Sequence, residues 1–194
     1  MAFDIDLVEE VKQHYLGIID VLLHSERPCY IHFDEKRFYP EMWSAIRAIN
    51  NTLSNYRGVP IALYTGKSFE TYSAIHAILL SGNVWLPLNP DHPPERNKQM
   101  LEIAQPSMII SDCELPDELT FFAKESEILV MDLSELTVQE PLNNFPIEDF
   151  SPEEISIIYF TSGSTGKPKG VPVSRQSYIR NINNILEVLS LNFC

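Results

Sequence analysis

The segment from Thr161 to Gly170 combines residue types that bind anions. It contains three glycines and two lysines, together with the hydroxyl side chains of Thr161, Ser162, Ser164 and Thr165. Glycines let backbone N–H groups approach a phosphate, hydroxyls donate hydrogen bonds, and ammonium groups neutralise charge. Composition alone fits a flexible surface turn as well as a phosphate-binding loop. The ordered spacing of the residues favours the phosphate-binding loop.

The order of these residues differs from the phosphate loop of the P-loop nucleoside triphosphatases. That pattern requires a glycine five positions before Gly166, where Thr161 stands. It also requires Ser or Thr after Lys167, where Pro168 stands. The P-loop class is therefore disfavoured.

Alternating strands and helices are predicted to position this loop. A strand from Ile155 to Phe160 runs straight into it, and the preceding chain repeats a strand-and-helix pattern. Ser68 can cap one of the helices, and Gly82 closes it. We expect a layered α/β fold with a mostly parallel sheet and flanking helices. The predicted strands are 59–64, 84–88, 108–110 and 128–131, and the predicted helices between them begin after Ser68 and at Glu95.

The flanking segments complete the predicted fold. An amphipathic helix is expected over 7–23, then a short hairpin from Cys29 to Tyr39, and a helix that begins at Pro40. Residues 137–154 contain three prolines and no sustained period, which predicts a solvated surface connection. A last helix is predicted over 178–191.

Length and charge limit the classes of protein and partner. The chain has 194 residues, 44% of them hydrophobic, enough for one sizeable core. With 14 Lys and Arg against 27 Asp and Glu, the net charge of −13 disfavours nucleic acid and anionic membrane surfaces as partners. The first ten residues are acidic and no long apolar stretch follows, which predicts a protein without a secretion signal that does not bind membranes. The three cysteines are widely spaced, which predicts a reduced, cytoplasmic protein. The five histidines show no metal-ligand spacing, so no metal site formed by side chains is expected.

Residues Tyr159 to Val171 resemble the phosphate-binding signature of the adenylate-forming superfamily, the AMP-dependent synthetases and ligases. The superfamily includes acyl-CoA synthetases, luciferases and nonribosomal peptide synthetase adenylation domains. Two upstream stretches agree in order and spacing: 38–42 resembles the first family motif and 78–90 the second. The details of the second motif, with Asn89 in place of a usual Asp, look closest to amino-acid-activating adenylation domains. The resemblance covers about residues 22–191.

The resemblance implies a two-step reaction. A carboxylate, here an amino acid, attacks the α-phosphate of Mg-ATP to give an acyl-adenylate and pyrophosphate, and a thiol of CoA or of a carrier protein then takes the acyl group. The predicted phosphate contacts are Thr161, Ser162, Gly163, Ser164, Thr165, Gly166, Lys169 and Gly170. ATP and Mg²⁺ are the implied cofactors. Lys167 stands at a variable position, and Arg175 stands where the family often has a His.

Family members are more than twice as long as this chain. They place the adenine-binding aromatic, the ribose-binding Asp, the acid pocket and a catalytic Lys after the segment that this sequence covers. Residues 1–194 are therefore expected to form a partial N-terminal AMP-binding domain that is inactive by itself, with no catalytic residue of its own. The alternative is a non-catalytic module that keeps the loop and binds a nucleotide or a partner.

Overall fold

The computed structural model describes residues 5–135, 145–162 and 167–188. In chain order, its helices and strands are α1 (Ile5–His24), β1 (Pro28–His32), β2 (Glu35–Phe38), α2 (Tyr39–Leu53), β3 (Pro60–Tyr64), α3 (Phe69–Leu80), β4 (Val84–Leu88), α4 (Pro94–Ala104), β5 (Met108–Ser111), α5 (Asp117–Glu125), β6 (Leu129–Asp132), β7 (Ile155–Ser162), β8 (Pro168–Ser174) and α6 (Arg175–Val188). Two short 3-10 turns lie at Leu133–Glu135 and Ile147–Asp149.

A six-stranded sheet forms the centre of the fold, as the alternating pattern predicts. Its strand order is β6-β5-β3-β4-β7-β8, and all neighbours are parallel except β7 and β8. The strands β1 and β2 form a separate antiparallel hairpin. The predicted class, a mostly parallel α/β sheet with flanking helices, is confirmed.

Two hydrophobic cores lie on opposite faces of the sheet. The larger core joins β3, β5 and β7 to the helices α1, α2, α3 and α6, with Ile61, Ile78 and Ile157 among its fully buried members. The smaller core packs α4 and α5 against the other face of the same strands, with Ala62 and Leu101 fully buried. Because successive side chains of a strand point to opposite faces, Ile61 and Ala62 fall into different cores. The fold is therefore a sheet between two helical layers.

Local signals set the ends of α3 as expected. The Ser68 hydroxyl accepts a hydrogen bond from the backbone N–H of Thr71 at 3.0 Å, which caps the first turn. Gly82 follows the helix with a φ of +81°, a conformation that favours glycine. Asn83, fully buried, then donates hydrogen bonds to the backbone carbonyl of Tyr56 and to the Ser81 hydroxyl before β4 begins.

Four features differ from the predictions. The strand β8, which contains two prolines, was not predicted. The helix α5 was not predicted, since only two of its side chains, Leu119 and Ala123, are buried and its apolar period is short. The helix α6 begins three residues earlier than predicted, at Arg175. Residues 137–144 of the predicted solvated connection lie outside the described residues. The prediction is wrong for its later part, because Ile147 and Phe150 are buried in the larger core.

Candidate functional site

The hairpin of β7 and β8 carries the two ends of the predicted phosphate loop. Thr161 and Ser162 are the last residues of β7. Across the hairpin, Lys169 lies opposite Thr161, and Pro168 lies opposite Ser162. The intervening predicted contacts, residues 163–166, lie outside the described residues. The structure thus brings three of the predicted site residues together at the end of one hairpin.

This end of the hairpin lies at the carboxyl edge of the parallel strands. β7 runs parallel to β4, with Trp85 paired to Ile157. The carboxyl end of β7 therefore points the same way as the carboxyl ends of β3, β4 and β5. Ligands of open α/β sheets bind at this edge. The sequence-predicted site and the edge defined by the topology coincide.

The exposed side chains at this end suit an anion. Thr161, Ser162, Lys167 and Lys169 are all exposed. Directly opposite residues of an antiparallel pair project from the same face, so the Thr161 hydroxyl and the Lys169 ammonium share a face of the hairpin. A hydroxyl donor and a cation side by side can bind neighbouring oxygens of one phosphate group.

Gly170 lies beside apolar side chains in this hairpin. It lies opposite Phe160 in the register, and a Cβ at this position would lie 3.4 Å from Cζ of Phe160 and 3.5 Å from Cγ2 of Ile158. Both of these side chains pack against the smaller core. Both distances are ordinary van der Waals contacts, so a methyl group at position 170 would fit beside the Phe160 ring. Among the predicted phosphate contacts that the structure describes, Gly170 is the one with apolar side chains as its neighbours.

Arg175 lies at the other end of the hairpin. It directly follows β8, whose last residue Ser174 pairs with Ile155 at the start of β7. Ser162 is seven positions after Ile155 along the strand, which corresponds to roughly 23 Å. The Arg175 side chain is fully buried, with a relative exposure of 0%. Although Arg175 stands where the family often has a His, its side chain is therefore directed into the protein interior.

The buried Arg175 guanidinium joins four other parts of the chain. Its Nε donates to the Glu154 carboxylate at 3.1 Å. Its Nη1 donates to the Tyr15 hydroxyl at 3.1 Å and to the Leu79 carbonyl at 3.3 Å. Its Cζ lies 3.9 Å from the centre of the Phe150 ring. Burial raises the pKa of Tyr15, against the opposing effect of Arg175, so the hydroxyl is neutral at neutral pH.

Sequence reasoning missed Asp112, which also lies at the carboxyl edge. Its carboxylate accepts hydrogen bonds from the Gly66 N–H at 3.3 Å, the Ser68 hydroxyl at 2.9 Å and the Thr71 hydroxyl at 3.2 Å. These bonds fasten the beginning of α3 to the end of β5. The signal in the sequence was an Asp directly after a buried strand. Because three donors already occupy this carboxylate, we assign it a structural role.

The described residues contain no group of three His, Cys, Asp or Glu side chains that could hold a metal ion. In the same part of the chain, no helix is long and apolar enough to cross a membrane. The charged groups exposed at the described ends of the loop are ammonium groups.

Comparison with known proteins identifies the family. Residues 21–192 match the family model described as AMP-binding enzyme. Since this match covers most of the chain, the protein belongs to the AMP-binding enzyme family. Its fold and its phosphate-binding signature are those of the adenylate-forming proteins.

The relatives include large synthetases. The chain is 29% identical over 176 residues to indigoidine synthase of Dickeya dadantii, a match covering 87% of this chain and 12% of that protein. It is 35% identical over 151 residues to enterobactin synthase component F of Escherichia coli, covering 74% of this chain and 11% of that protein. Among solved structures, the Klebsiella oxytoca NpsA N-terminal subdomain in complex with 3-hydroxyanthranilyl-AMSN superposes with a TM-score of 0.63 and 25% identity. That match covers 88% of this chain and 40% of the neighbour. The chain thus spans about an eighth or less of the two synthases.

Proposed function

We propose that this chain forms the phosphate-binding part of an enzyme that activates a carboxylic acid as its acyl-adenylate. The observation that carries the proposal is the pairing of Thr161 with Lys169 at the carboxyl edge of the sheet, in a chain that belongs to the AMP-binding enzyme family. The pairing places a hydroxyl and a cation on one exposed face. Membership of the family supports ATP as the ligand.

In the proposed reaction, a carboxylate oxygen attacks the α-phosphorus of ATP, and pyrophosphate leaves. The hydroxyls and backbone N–H groups of residues 161–166 would bind the β- and γ-phosphates. Lys169 would stabilise the negative charge that grows on pyrophosphate as the bond to the α-phosphorus breaks. The described side chains nearest Gly170 are the apolar Phe160 and Ile158, so a contact of Gly170 with phosphate would be made through its backbone.

The described ends of the loop are suited to phosphate oxygens more than to a metal ion. Thr161 and Ser162 provide hydroxyls, and Lys167 and Lys169 provide ammonium groups that would repel a cation. Mg²⁺ usually reaches such sites bound mainly through substrate phosphates. We therefore propose that Mg²⁺ enters with ATP, where it neutralises phosphate charge.

We further propose that residues 1–194 form a partial N-terminal AMP-binding domain that is inactive by itself. The adenine, the ribose and the acid would be bound by residues outside this range. The second motif favours an amino acid as the acid. The similarity to enterobactin synthase component F and to indigoidine synthase supports a synthetase setting, in which a carrier-protein thiol would accept the acyl group; the thiol of CoA is the other acceptor considered.

Calorimetric titration of the purified chain with Mg-ATP and with pyrophosphate tests the proposal. Hydrogen bonds to charged groups contribute about 1.5–3 kcal/mol, so Lys169→Ala and Ser164→Ala should each weaken binding by about tenfold or more. Binding by the parent chain that both variants weaken supports the proposal. Binding that neither variant changes contradicts the assignment of the loop. Absence of binding by the parent chain favours a non-catalytic module that binds a partner.

A further inference from the structure

The hairpin that carries the proposed phosphate site is joined to the sheet near its root. We use "root" for the end formed by Glu154, Ile155, Ser174 and Arg175, opposite the end formed by Thr161 and Lys169. The pairing of β7 with β4 is at Ile157, in the root half of the strand. From Ile157 to Ser162, β7 pairs with β8. The strand pairing that joins the hairpin to the sheet is therefore at its root, while further out Ile158 and Phe160 pack against the smaller core.

The root is closed by bonds on both sides of Arg175. Its backbone N–H donates to the Glu154 carbonyl at 2.8 Å, and the next N–H, of Gln176, donates to the Pro152 carbonyl at 3.1 Å. The side chain adds the ion pair of Arg175 Nε with Glu154 Oε2 at 3.1 Å. Glu154 directly precedes β7 and Arg175 directly follows β8. One residue thus holds the two strands together through its backbone and its side chain.

The same side chain attaches the root to the helical layer. Its hydrogen bonds reach α1 at the Tyr15 hydroxyl and the last turn of α3 at the Leu79 carbonyl. Its Cζ lies over the Phe150 ring, 3.9 Å from the ring centre, and the Phe150 ring contacts the Tyr15 ring edge-on, with 4.9 Å between the ring centres. Hydrogen bonds and stacking are directional, so these contacts define an orientation and not merely a close approach.

We infer that Arg175 is a positioning residue for the phosphate-binding end of the hairpin, because its buried guanidinium fixes the orientation of β7 and β8 relative to the sheet and the helices. The consequence for nucleotide binding rests on the proposed function. The consequence for the orientation of the hairpin does not. Arg175 itself lies far from the proposed phosphate contacts and acts through the two strands.

An apolar side chain at this position would fill the space but could not provide the orientation. Arg175→Met removes one partner only, and it leaves the buried Tyr15 hydroxyl without its hydrogen bond to the guanidinium. We therefore expect the melting temperature to fall by roughly 2–10 °C. Because this loss is felt by the whole fold, the positioning role is judged by comparing the hairpin with the central strands and not by the melting temperature.

Hydrogen–deuterium exchange of the 194-residue chain without nucleotide tests the positioning role directly. In Arg175→Met, the amides of β7 and β8 should exchange about tenfold faster relative to those of β3 and β5 than they do in the parent chain. Arg175→Lys, which keeps the charge but not the planar fork, should give an intermediate increase. Arg180→Met is the matched control, because Arg180 is exposed on the same helix. Unchanged exchange in the hairpin of Arg175→Met would overturn the inference.

Titration with pyrophosphate adds the functional result. Where the parent chain binds, Arg175→Met should weaken binding about tenfold, and Arg180→Met should leave it unchanged. A parent chain that does not bind contradicts the proposed function alone, since the exchange rates still decide the positioning role. Should Arg175→Met fail to fold, Glu154→Ala removes the ion pair from a carboxylate that is 40% exposed. Faster exchange confined to β7 and β8 in that variant supports the inference, and unchanged exchange overturns it.

Discussion

Lys169 lies directly opposite Thr161 in the antiparallel pair of β7 and β8, so the ammonium and the hydroxyl project from one face of the hairpin. Lys167, also exposed, precedes the first residue of β8. We therefore expect Lys169→Ala to weaken pyrophosphate binding by about tenfold and Lys167→Ala by about twofold or less. Side-by-side calorimetric titrations measure both. Equal losses in the two variants would show that the lysines act as general positive charge and not through position.

Asn83 joins the starts of two neighbouring strands. Fully buried, it donates to the Tyr56 carbonyl at 3.0 Å and to the Ser81 hydroxyl at 2.9 Å. Asn83→Ala should lower the free energy of unfolding by about 2 kcal/mol, because it leaves buried polar groups without partners. Urea denaturation measures the change. Asn184→Ala, at an exposed position of α6, is the control and should be neutral or slightly stabilising; a similar loss in both variants would contradict the prediction.

His76 makes the stability of the fold dependent on pH. Burial lowers the pKa of this imidazole from 6.5 to about 4. Between these values the unfolded chain binds a proton that the folded chain does not, so the free energy of unfolding falls as the pH falls from 6.5 towards 4 and is constant above that range. The loss between about pH 7 and about pH 5 should be about 2 kcal/mol.

Urea denaturation at the two pH values measures this effect of His76. His76→Leu should remove most of the pH dependence within that window, because the imidazole with the strongly lowered pKa is gone; burial also lowers the pKa of His14, which accounts for a smaller remaining dependence. His24→Gln, at an exposed position of α1, should retain it. A pH dependence that persists in His76→Leu would show that another group is responsible.

Exposed apolar side chains on the edge strand β6 predict self-association. Leu129 is 50% exposed and Val130 is 43% exposed. An uncovered edge strand with such residues can pair with a second chain. The purified chain should therefore form oligomers or aggregates in size-exclusion chromatography with light scattering, and Val130→Lys should shift it towards monomer. A monodisperse monomer that melts cooperatively would contradict the prediction.

Local patterns were sufficient to predict most elements of the sheet and of the larger helices. Ser68 caps the first turn of α3 and Gly82 follows its last turn, so residues next to the helix were enough to predict where it begins and ends. The strand β8 could not be predicted in the same way. It contains Pro168 and Pro172, and proline lacks the N–H that a central strand requires. Its position at the edge of the sheet, which tolerates proline, is a property of the whole fold.

The environment of Arg175 depends on contacts between distant parts of the chain. Its hydrogen bond to Tyr15 joins residues 160 positions apart. An arginine after a strand is ordinarily expected at the surface, because burying its charge is costly. Only the packing of α1, α3 and the Phe150 segment around one point provides the partners that compensate for this cost.

The sequence by itself determined the residue types of the proposed phosphate site, the alternation of strands and helices and the resemblance to adenylate-forming enzymes, because each of these depends on residues that are close along the chain. The tertiary structure decided which residues lie together. It placed Lys169 beside Thr161 through the pairing of β7 and β8, and it buried Arg175 at the opposite end. Pairing and burial depend on contacts that form only when the whole sheet and its helical layers assemble.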